Sequence, residues 1–480
     1  MSASRRSTKI VATLGPATDD PAILAGIVRA GVDVVRLNFS HGELADHARR
    51  VELARSAAAA AGRYVGVLGD LQGPKIRIER FAAGPVQLAD GAPFTLDASF
   101  AADAGTADRV GIAYKRLPSD VFVGDVLLLN DGQISLQVEQ IDGPRIRTRV
   151  LVGGELGNNK GINRQGGGLS AGALTDKDRQ DIRAAASLGV DYLAVSFARD
   201  AADVEEARAL LREAGGHGLL IAKIERAEAI HKLGDLVRAS DAVMVARGDL
   251  GVEMGYAELA GLQKQIIREA RLQNRVVITA TQMMESMIVN TIPTRAEVSD
   301  VANAVMEGSD AVMLSAETAS GKHPIKVVEA MAQIILGAEK YQDRHVRVRQ
   351  RDSGQFERSD EAIAAAVMYT ANHLHVKAIV ALTESGSTTL WMSRVRSDIP
   401  IYAFTRHPET LCRVTLYRGV YPVAYNVTHT DPRSLHRSIF GQLLELRLVS
   451  DGDLVIVTKG ERSGVSGGTN SMQILRVTAG

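Results

Sequence analysis

Several charged side chains stand where short apolar runs end, and two of these positions combine a cation with a carboxylate. Lys223 and Glu225 close one run, and Arg247 and Asp249 follow another. Residues two apart on a strand share a face, so we expect each cation to point the same way as its carboxylate. If the two strands are neighbours, Glu225 and Asp249 present two carboxylates at one place.

Two carboxylates with few histidines nearby predict a site for a hard divalent cation rather than for zinc. Oxygen-only ligation suits Mg²⁺ or Mn²⁺ and leaves the remaining coordination positions for water and substrate. Lys223 beside that metal would stabilise negative charge that develops on an oxygen. Arg36, at the end of a third run, suits a phosphate group. These residues therefore indicate a metal-assisted site that binds a phosphate.

The elements that must position these side chains are short β-branched runs separated by longer helical patterns, which is typical of parallel βα units. Asp20 with Pro21, and Thr294 with Glu297, have the types expected at helix starts. The eight candidate strands are 8–14, 32–37, 65–69, 192–196, 219–224, 242–246, 276–280 and 311–314. Eight such units predict a closed (β/α)8 TIM barrel.

Polar residues are concentrated at the carboxyl ends of six predicted strands, where the reacting groups of βα barrels gather. These ends are 36–41, 70, 223–225, 247–249, 279–282 and 315–317. Each end alone also allows a structural interpretation, because strand ends often carry polar residues near solvent. Glu225 and Asp249 could likewise form ion pairs with Arg or Lys that close the barrel. The convergence of six ends on one mouth favours an active site.

The connection between the third and fourth predicted strands is far longer than a normal βα loop. Its short alternating runs, punctuated by Gly and Asp, predict a small β-barrel domain inserted at the top of the barrel as a lid. A second α/β unit follows, with candidate strands at 378–382, 401–405, 420–424 and 454–458. The predicted domains are a catalytic barrel at 1–72 and 168–342, a lid at 73–167 and a C-terminal α/β domain at 355–480.

The amino-acid composition and net charge favour some classes of protein over others. Of the 480 residues, 45% are apolar but only 4% aromatic, which suits aliphatic barrel interiors. With 56 basic and 56 acidic residues the net charge is zero, and a nucleic-acid binder would show a basic excess. The basic stretch 345–351 could be a nucleic-acid patch, but the neutral total favours a solvated linker.

The location of the protein can also be predicted from its sequence. Cys412 is the only cysteine, which leaves no internal disulfide and fits a reducing compartment. The first residues lack the apolar core of a signal peptide, and no run is long enough to span a membrane. We therefore expect a cytoplasmic protein with neither a membrane nor a nucleic acid as its partner.

The residues at and near the strand ends form motifs that resemble those of the pyruvate kinase family, and the resemblance covers essentially the whole chain. The motifs are Arg36-Leu37-Asn38-Phe39-Ser40-His41-Gly42, Gly73-Pro74-Lys75-Ile76-Arg77, Lys223-Ile224-Glu225, Ala246-Arg247-Gly248-Asp249-Leu250-Gly251, Ala280-Thr281-Gln282-Met283-Met284-Glu285-Ser286-Met287 and Met313-Leu314-Ser315-Ala316-Glu317-Thr318. The resemblance implies a glycolytic phosphotransferase that moves the phosphoryl group of phosphoenolpyruvate onto ADP. It also implies that a second metal ion arrives with ADP.

The resemblance implies a role for each residue at the mouth. Glu225 and Asp249 would hold the divalent metal, and Lys223 would stabilise the transferring phosphoryl group and the enolate. Arg36 would bind the phosphate. The substrate carboxylate would lie against Ala246, Arg247, Gly248 and Asp249, together with Thr281. Thr281 would also stand where a proton can be relayed to the enolate carbon, although the sequence does not identify the group that protonates it.

The lid carries the residues that the resemblance assigns to the nucleotide. Arg77 and Lys160 would contact the phosphates of ADP. Closure of the lid would exclude water, which could otherwise take the phosphoryl group.

One motif departs from the pattern of the potassium-dependent members of the family. Asn38, Ser40 and Asp70 match three of their four potassium ligands, but Leu71 replaces the threonine, and Lys75 replaces a glutamate. A lysine ammonium can supply the missing positive charge and repel a nearby cation. We therefore predict a member of the lysine-bearing branch that needs no potassium. The alternative is that Lys75 merely points into solvent at the hinge of the lid.

The C-terminal unit has the residues of a regulatory site. Thr383, Glu384, Ser385, Gly386, Ser387 and Thr388 follow a strand and open a helix, so their amides and hydroxyls could bind an anion. A second glycine- and serine-rich loop, 460–469, contains Arg462. The resemblance implies a phosphorylated allosteric effector here and a homotetramer through which it acts. A plain surface turn before a capped helix is the alternative.

Two rival functions stay open at this stage. One is another barrel enzyme that uses phosphoenolpyruvate or its enolate, such as a lyase or a dikinase-type domain. A lyase, however, needs no lid with Arg77 and Lys160 to clamp a nucleotide. The other is an inactive homologue that senses metabolites, which the intact Lys223, Glu225 and Thr281 disfavour.

Overall fold

Strands and helices alternate along most of the chain, and the structure, a computed structural model, describes residues 5–341, 356–426, 434–460 and 467–478. The strands are β1 (Lys9–Thr13), β2 (Val34–Asn38), β3 (Gly66–Asp70), β4 (Val86–Leu88), β5 (Pro93–Asp97), β6 (Arg109–Gly111), β7 (Val126–Leu129), β8 (Ile134–Asp142), β9 (Arg145–Val152), β10 (Gly154–Leu156), β11 (Ile162–Arg164), β12 (Tyr192–Val195), β13 (Leu219–Ile224), β14 (Ala242–Ala246), β15 (Val276–Ala280), β16 (Ala311–Leu314), β17 (Ala378–Leu382), β18 (Ile401–Thr405), β19 (Val420–Ala424), β20 (Leu454–Gly460) and β21 (Thr469–Arg476).

The helices account for about half of the remaining described residues. They are α1 (Pro21–Ala30), α2 (Leu44–Ala60), α3 (Leu117–Asp120), α4 (Asp176–Leu188), α5 (Ala201–Glu213), α6 (Ala227–His231), α7 (Leu233–Ala239), α8 (Arg247–Met254), α9 (Tyr256–Leu272), α10 (Arg295–Glu307), α11 (Ala316–Ala319), α12 (Pro324–Tyr341), α13 (Ser359–His373), α14 (Ser387–Ser393), α15 (Pro408–Arg413) and α16 (Leu435–Glu445). Short 3-10 turns cover Pro16–Thr18, Glu285–Ile288 and Val414–Leu416.

Eight parallel strands close into a barrel in the order β1-β16-β15-β14-β13-β12-β3-β2. Almost every residue of these strands is buried, because the barrel interior covers one face and the surrounding helices cover the other. The predicted (β/α)8 barrel is confirmed: four of the eight strands have the predicted bounds, and the ends of the other four differ by at most two residues.

The helix starts follow their local sequence. The Asp20 side chain accepts a hydrogen bond from the Ala22 amide, with Pro21 as the first helical residue. Thr294 and Glu297 bond each other's backbone amides in a capping box that opens α10. Both predicted helix starts are confirmed.

Four aspartates join strands at the amino end of the barrel. Each aspartate stands directly before one strand, and together they precede β2, β12, β14 and β16. The side chain of each accepts a backbone N–H from the neighbouring strand that comes earlier in the chain. The bonds run from the Ile10 amide to Asp33 (2.8 Å), from Val67 to Asp191 (2.7 Å), from Leu220 to Asp241 (2.8 Å) and from Val277 to Asp310 (2.9 Å). We call these contacts the aspartate staples. They pair the eight strands two by two at the end opposite the predicted active site.

The chain leaves the barrel after β3 and returns at α4 through an inserted domain built on a six-stranded sheet of order β11-β7-β8-β9-β5-β6. Residues 76–79 bond both edges of this sheet: the Ile162 amide donates to the Ile76 carbonyl (2.8 Å), and the Glu79 amide to the Gly111 carbonyl (2.8 Å). A second small sheet pairs β10 with β4. The lid thus has its own apolar core, separate from that of the barrel.

A five-stranded sheet of order β19-β18-β17-β20-β21 forms the C-terminal unit. Four of its strands were predicted, but β21, which runs antiparallel to β20, was not. This unit lies against the amino end of the barrel, where the Tyr192 hydroxyl donates to the Arg413 carbonyl (2.6 Å) and Lys9 Nζ donates to the Val420 carbonyl (2.6 Å).

Part of the predicted organisation falls outside the described residues. The basic stretch 345–351 lies there, as do the predicted boundaries at 342 and 355, so the exact division into domains stays a prediction. In the part of the chain that the structure describes, every helix is too short or too polar to serve as a membrane span.

Candidate active site

The ammonium of Lys223 is the centre of a buried ionic cluster at the carboxyl end of the barrel. Its Nζ lies 2.9 Å from Glu225 Oε1 and 3.3 Å from Asp70 Oδ1, and it donates to Ser196 Oγ at 2.6 Å. The Lys223 side chain is only 12% exposed and those of Asp70 and Glu225 are 1% and 2% exposed. Neighbouring strands β3, β12 and β13 bring these groups together, because their ends meet at one edge.

Arg36, on the neighbouring strand β2, belongs to the same cluster. Its Nε donates to Asp70 Oδ2 at 2.6 Å, and an NH group donates to Thr13 Oγ1 at 3.0 Å. Asp70 therefore lies between two cations, Arg36 on one side and Lys223 on the other. The mouth has a positively charged wall suited to an anionic substrate.

The ionisation of the cluster follows from burial and from neighbouring charges. Burial opposes the charge on Asp70, but Arg36 and Lys223 outweigh it and hold the pKa of Asp70 below its ordinary value. Burial likewise opposes the charge on Lys223, and the carboxylates of Asp70 and Glu225 reverse this and raise its pKa. Burial, reinforced by the negative charge of Asp249, raises the pKa of Glu225.

Glu225 and Asp249 are the two carboxylates predicted to hold a metal ion, and they are close enough for the charge of one to act on the other. Glu225 Oε2 accepts the Phe197 amide at 2.7 Å, which fixes the direction of the carboxylate. Among the described residues no group of three or more His, Cys, Asp or Glu side chains could ligate a metal. Carboxylate oxygens are the ligands that a hard cation prefers, and two carboxylates leave its other positions for substrate and water.

The orientation predicted for Arg247 and Asp249 is wrong. The chain leaves strand geometry after Ala246, and both residues lie in the first turn of α8, where residues two apart do not share a face. Arg247 turns away and donates to the Thr281 carbonyl (2.6 Å) and to Asp300 (2.7 Å). Its guanidinium joins α8 to the loop after β15.

Thr281 and Gly248 meet at the start of α8. Thr281 Oγ1 accepts the Gly248 amide at 2.9 Å and donates to the Ala280 carbonyl at 2.7 Å. Thr281 has a φ of +67°, a left-handed conformation that is costly for a β-branched residue. The strained turn holds its hydroxyl against the amino end of the helix that carries Asp249.

Lys75 does not point into solvent. Its Nζ is 3.3 Å from Asp249 Oδ1 and 3.8 Å from Asp131 Oδ1, so it connects the base of the lid to a predicted metal ligand. Asn38 Oδ1 accepts the Ser40 amide at 3.1 Å, and Leu71 is fully packed in the barrel core. Asp70, the third residue of that predicted cation region, is bonded to Arg36 and Lys223 instead.

The two predicted nucleotide-binding residues lie side by side on the lid. Arg77 donates to the Asn159 carbonyl at 2.9 Å, and the Ile78 amide donates to the Lys160 carbonyl at 2.9 Å. Both are part of the segments that join the lid to the barrel.

The predicted effector loop joins β17 to α14. Thr383 Oγ1 accepts the Gly386 amide at 2.9 Å, and Gly386 has a φ of +85°. The hydroxyl of Thr388 is buried against that of Thr469 at 2.7 Å, and Ser387 Oγ donates to Asp360 at 3.4 Å.

A carboxylate also belongs to this loop. Glu384 forms an ion pair with Arg406 and contacts the ring of His407, so two basic side chains stand beside the predicted anion site. Arg462 and the other residues of 461–466 lie outside the described residues.

The sequence prediction missed Ser196 and Thr13, which bond Lys223 and Arg36 directly. Both lie at the carboxyl ends of barrel strands, β12 and β1. The rule that identified the other six strand ends applied to these two as well, and their small neutral hydroxyls were overlooked beside charged residues.

Comparison with known proteins adds two family matches. The barrel domain of pyruvate kinase matches residues 5–328, and the alpha/beta domain of pyruvate kinase matches residues 361–475.

Individual proteins resemble the chain over nearly its full length. It is 53% identical to "Pyruvate kinase II" of Salmonella typhimurium, covering 99% of this chain and 100% of the relative. It is 52% identical to a pyruvate kinase of Haemophilus influenzae, covering 96% of this chain and 97% of that protein. Among solved structures, a pyruvate kinase from Cryptosporidium parvum superimposes with a TM-score of 0.92 at 33% identity, covering 98% of this chain and 96% of that one.

Proposed function

The chain belongs to the pyruvate kinase family, and from that premise we propose that it transfers the phosphoryl group of phosphoenolpyruvate to ADP at the mouth of its barrel. It is a phosphotransferase, and the family uses a divalent metal. The observation that carries the proposed site is the buried cluster of Lys223, Asp70, Arg36 and Glu225.

Phosphoryl transfer needs positioning and charge neutralisation more than covalent chemistry. Arg36 binds the phosphate of phosphoenolpyruvate, and Lys223 neutralises the charge that grows on the transferring group and on the enolate oxygen. The contacts of Asp70 with both cations keep them oriented and charged before substrate arrives.

Glu225 and Asp249 would hold Mg²⁺ or Mn²⁺, and the ion would supply positive charge that neutralises the substrate. The amino end of α8, from Ala246 to Asp249, suits the substrate carboxylate because the first amides of a helix lack intrahelical acceptors; that of Gly248 is bonded to Thr281 Oγ1. Thr281 beside it relays a proton toward the enolate carbon. Arg77 and Lys160 would contact the phosphates of ADP when the lid closes, and the nucleotide would carry a second metal ion.

An assay coupled to pyruvate tests this function and separates it from the rival barrel enzymes. We expect pyruvate and ATP to form together, only when phosphoenolpyruvate, ADP and Mg²⁺ are all present. Turnover of phosphoenolpyruvate without ADP would identify a lyase instead.

With one cysteine and no disulfide chemistry, the enzyme suits the reducing cytoplasm.

We propose that the enzyme belongs to the lysine-bearing branch and needs no potassium. The fixed charge of Lys75 supports this, since its ammonium lies 3.3 Å from Asp249 and supplies a cation beside the metal site. Buried Leu71 offers no oxygen ligand.

Turnover in tetramethylammonium buffer, where no small monovalent cation can substitute, should be close to turnover in potassium buffer. A rise of about tenfold or more on adding potassium would refute the proposal, because it would show that a charge is missing. Lys75→Glu should shift the enzyme toward potassium dependence, more fully when combined with Leu71→Thr.

We further propose that Thr383, Glu384, Ser385, Gly386, Ser387 and Thr388 bind a phosphorylated effector in a homotetramer. Arg406 and His407, which contact Glu384, support an anionic ligand. In Ser385→Asp the added charge should repel the effector, so activation by phosphorylated metabolites should disappear while basal activity survives. Ser385→Ala is the matched control. A normal response in Ser385→Asp would move the site elsewhere, and sedimentation velocity would test the tetramer.

A further inference from the structure

Helix α8 carries a second acidic residue four positions after Asp249, which helical periodicity places on the same face as Asp249. Asp249 lies in its first turn and Glu253 in its last. Glu253 is only 4% exposed. Burying a carboxylate without a bonded cation costs folding free energy unless other groups donate hydrogen bonds to it.

The partners of Glu253 come from two other segments of the chain. Glu253 Oε2 accepts the Ala227 amide at 3.0 Å, at the start of α6. Glu253 Oε1 accepts Asn163 Nδ2 at 3.4 Å, from strand β11 of the lid. The backbone carbonyl of Glu253 accepts the Gly166 amide at 3.0 Å, just after β11.

These bonds connect three parts of the site through one residue. Ala227 stands two positions after Glu225, and Glu253 stands one helical turn after Asp249, so Glu253 ties together the backbone segments of both proposed metal ligands. Asn163 and Gly166 belong to the return crossing from the lid to the barrel. Glu253 is therefore bonded at once to the metal-site backbone and to the hinge of the lid.

A small cavity of about 20 Å³ lies against Glu253 at the same hinge. Its walls come from both crossings and from the barrel, and include Pro74, Ile76, Asn163, Leu169, Phe197 and Arg226. The nearby Arg226 also bonds the hinge backbone, since it donates to the Leu169 carbonyl at 2.6 Å. Glu253 and Arg226 therefore both hold the return crossing of the lid against the barrel.

We propose that Glu253 is a positioning residue that couples the lid hinge to the two metal ligands. When the hinge is in place, the bonds of Glu253 hold α8 and the segment after Glu225 at one separation, and the metal site has its full affinity. When these bonds break, the hinge and the carboxylates move independently. This inference rests on the proposed metal site.

The test compares Mn²⁺ binding, measured from the electron paramagnetic resonance signal of free Mn²⁺, with proteolysis of the hinge. Glu253→Ala should weaken Mn²⁺ binding about tenfold or more, as loss of a residue that orients metal ligands does. It should also speed cleavage near 161–171 by trypsin. Glu253→Gln keeps one acceptor oxygen and should fall between the parent and Glu253→Ala in both measurements.

The matched control is Asp191→Asn, which alters an acid that accepts one backbone amide at the opposite end of the barrel. It should leave Mn²⁺ affinity and hinge cleavage unchanged. If Asp249→Ala binds Mn²⁺ normally, the proposed metal site itself fails.

If Asp249→Ala loses Mn²⁺ while Glu253→Ala and Glu253→Gln bind it like the parent, the coupling by Glu253 is overturned. Should Glu253→Ala not fold, Glu253→Gln decides alone: unchanged affinity and unchanged cleavage overturn the inference.

Discussion

The two ends of the barrel both bury acidic side chains, but they give them different partners. At the mouth, Asp70 and Glu225 face the side-chain cations Arg36 and Lys223. At the amino end, each aspartate of the staples accepts a backbone amide of the preceding strand. Three of them, Asp33, Asp241 and Asp310, also pair with arginines. The added feature of the staples is therefore the backbone amide, which joins two strands.

The difference teaches how to distinguish an active site from architecture in a symmetrical fold. A nearby cation does not distinguish the two ends, because both have cations beside their acids. An aspartate that accepts an amide of the neighbouring strand joins two strands, whereas Asp70 joins two long side chains that can turn toward a ligand. The backbone partner of a buried aspartate, rather than its burial, therefore indicates its role.

The largest effect should come from breaking the cluster at the mouth. Asp70→Asn leaves the buried charges of Arg36 and Lys223 without their shared partner. Removing one member of a buried ionic pair costs about 3–5 kcal/mol, so the free energy of unfolding should fall by that order. Urea denaturation followed by circular dichroism measures it. A loss below about 1 kcal/mol would mean that Asp70 is no more than another staple.

The next effect concerns activity rather than stability. Asp249→Ala removes one of two proposed metal ligands, so kcat should fall at least about a hundredfold at saturating Mg²⁺, equivalent to about 2.7 kcal/mol. Asp241→Asn, the matched change in a staple, should keep kcat near that of the parent. Steady-state assays of the two variants give the comparison, and near-normal turnover in Asp249→Ala would contradict the assignment.

The smallest effect is a pH dependence at the amino end. Burial raises the pKa of Asp191 to about 6, above its ordinary value of 3.8. The folded state therefore holds this proton more tightly than the unfolded state, and the contribution of Asp191 to stability declines as pH rises from about 4 to about 6. Asp191→Asn has no such proton.

Denaturation of the parent and of Asp191→Asn at several pH values measures this window. The stability of the parent relative to the variant should fall between pH of about 4 and 6, and then stay level. A constant difference across that range would show that Asp191 stays ionised in the folded state.

Much of the barrel could be predicted because each of its strands is a short run buried on both faces, as in Ala242–Ala246. Strand β21 escaped prediction because its alternating polar residues resemble a loop, and only pairing with β20 makes it a strand. The direction of Arg247 was wrong for a related reason, since the two-residue period ends where α8 begins.

Contacts between segments that are far apart along the chain could not be predicted from the sequence. Lys75 and Asp249 are 174 residues apart, and their meeting depends on how the inserted lid folds back over the mouth. Glu253 and Asn163 are 90 residues apart for the same reason. Spacing along the chain predicts which residues end a strand, but not which segment comes to lie above them.

The aspartate staples also set an order for the assembly of the chain. Three of them join residues that are 23, 21 and 33 positions apart, so those strand pairs can form early from nearby sequence. The staple between Val67 and Asp191 spans 124 positions because the lid is inserted within it. Closing that larger loop costs about 1.5 kcal/mol more than closing the 23-residue one, if the loop is unstructured.

A lid that folds first would bring the ends of its segment together and remove most of that cost. We expect the lid sheet to gain protection from hydrogen exchange before β3 pairs with β12 during refolding. The inserted domain would then act as an intramolecular splint for barrel closure, in addition to any part it takes in catalysis.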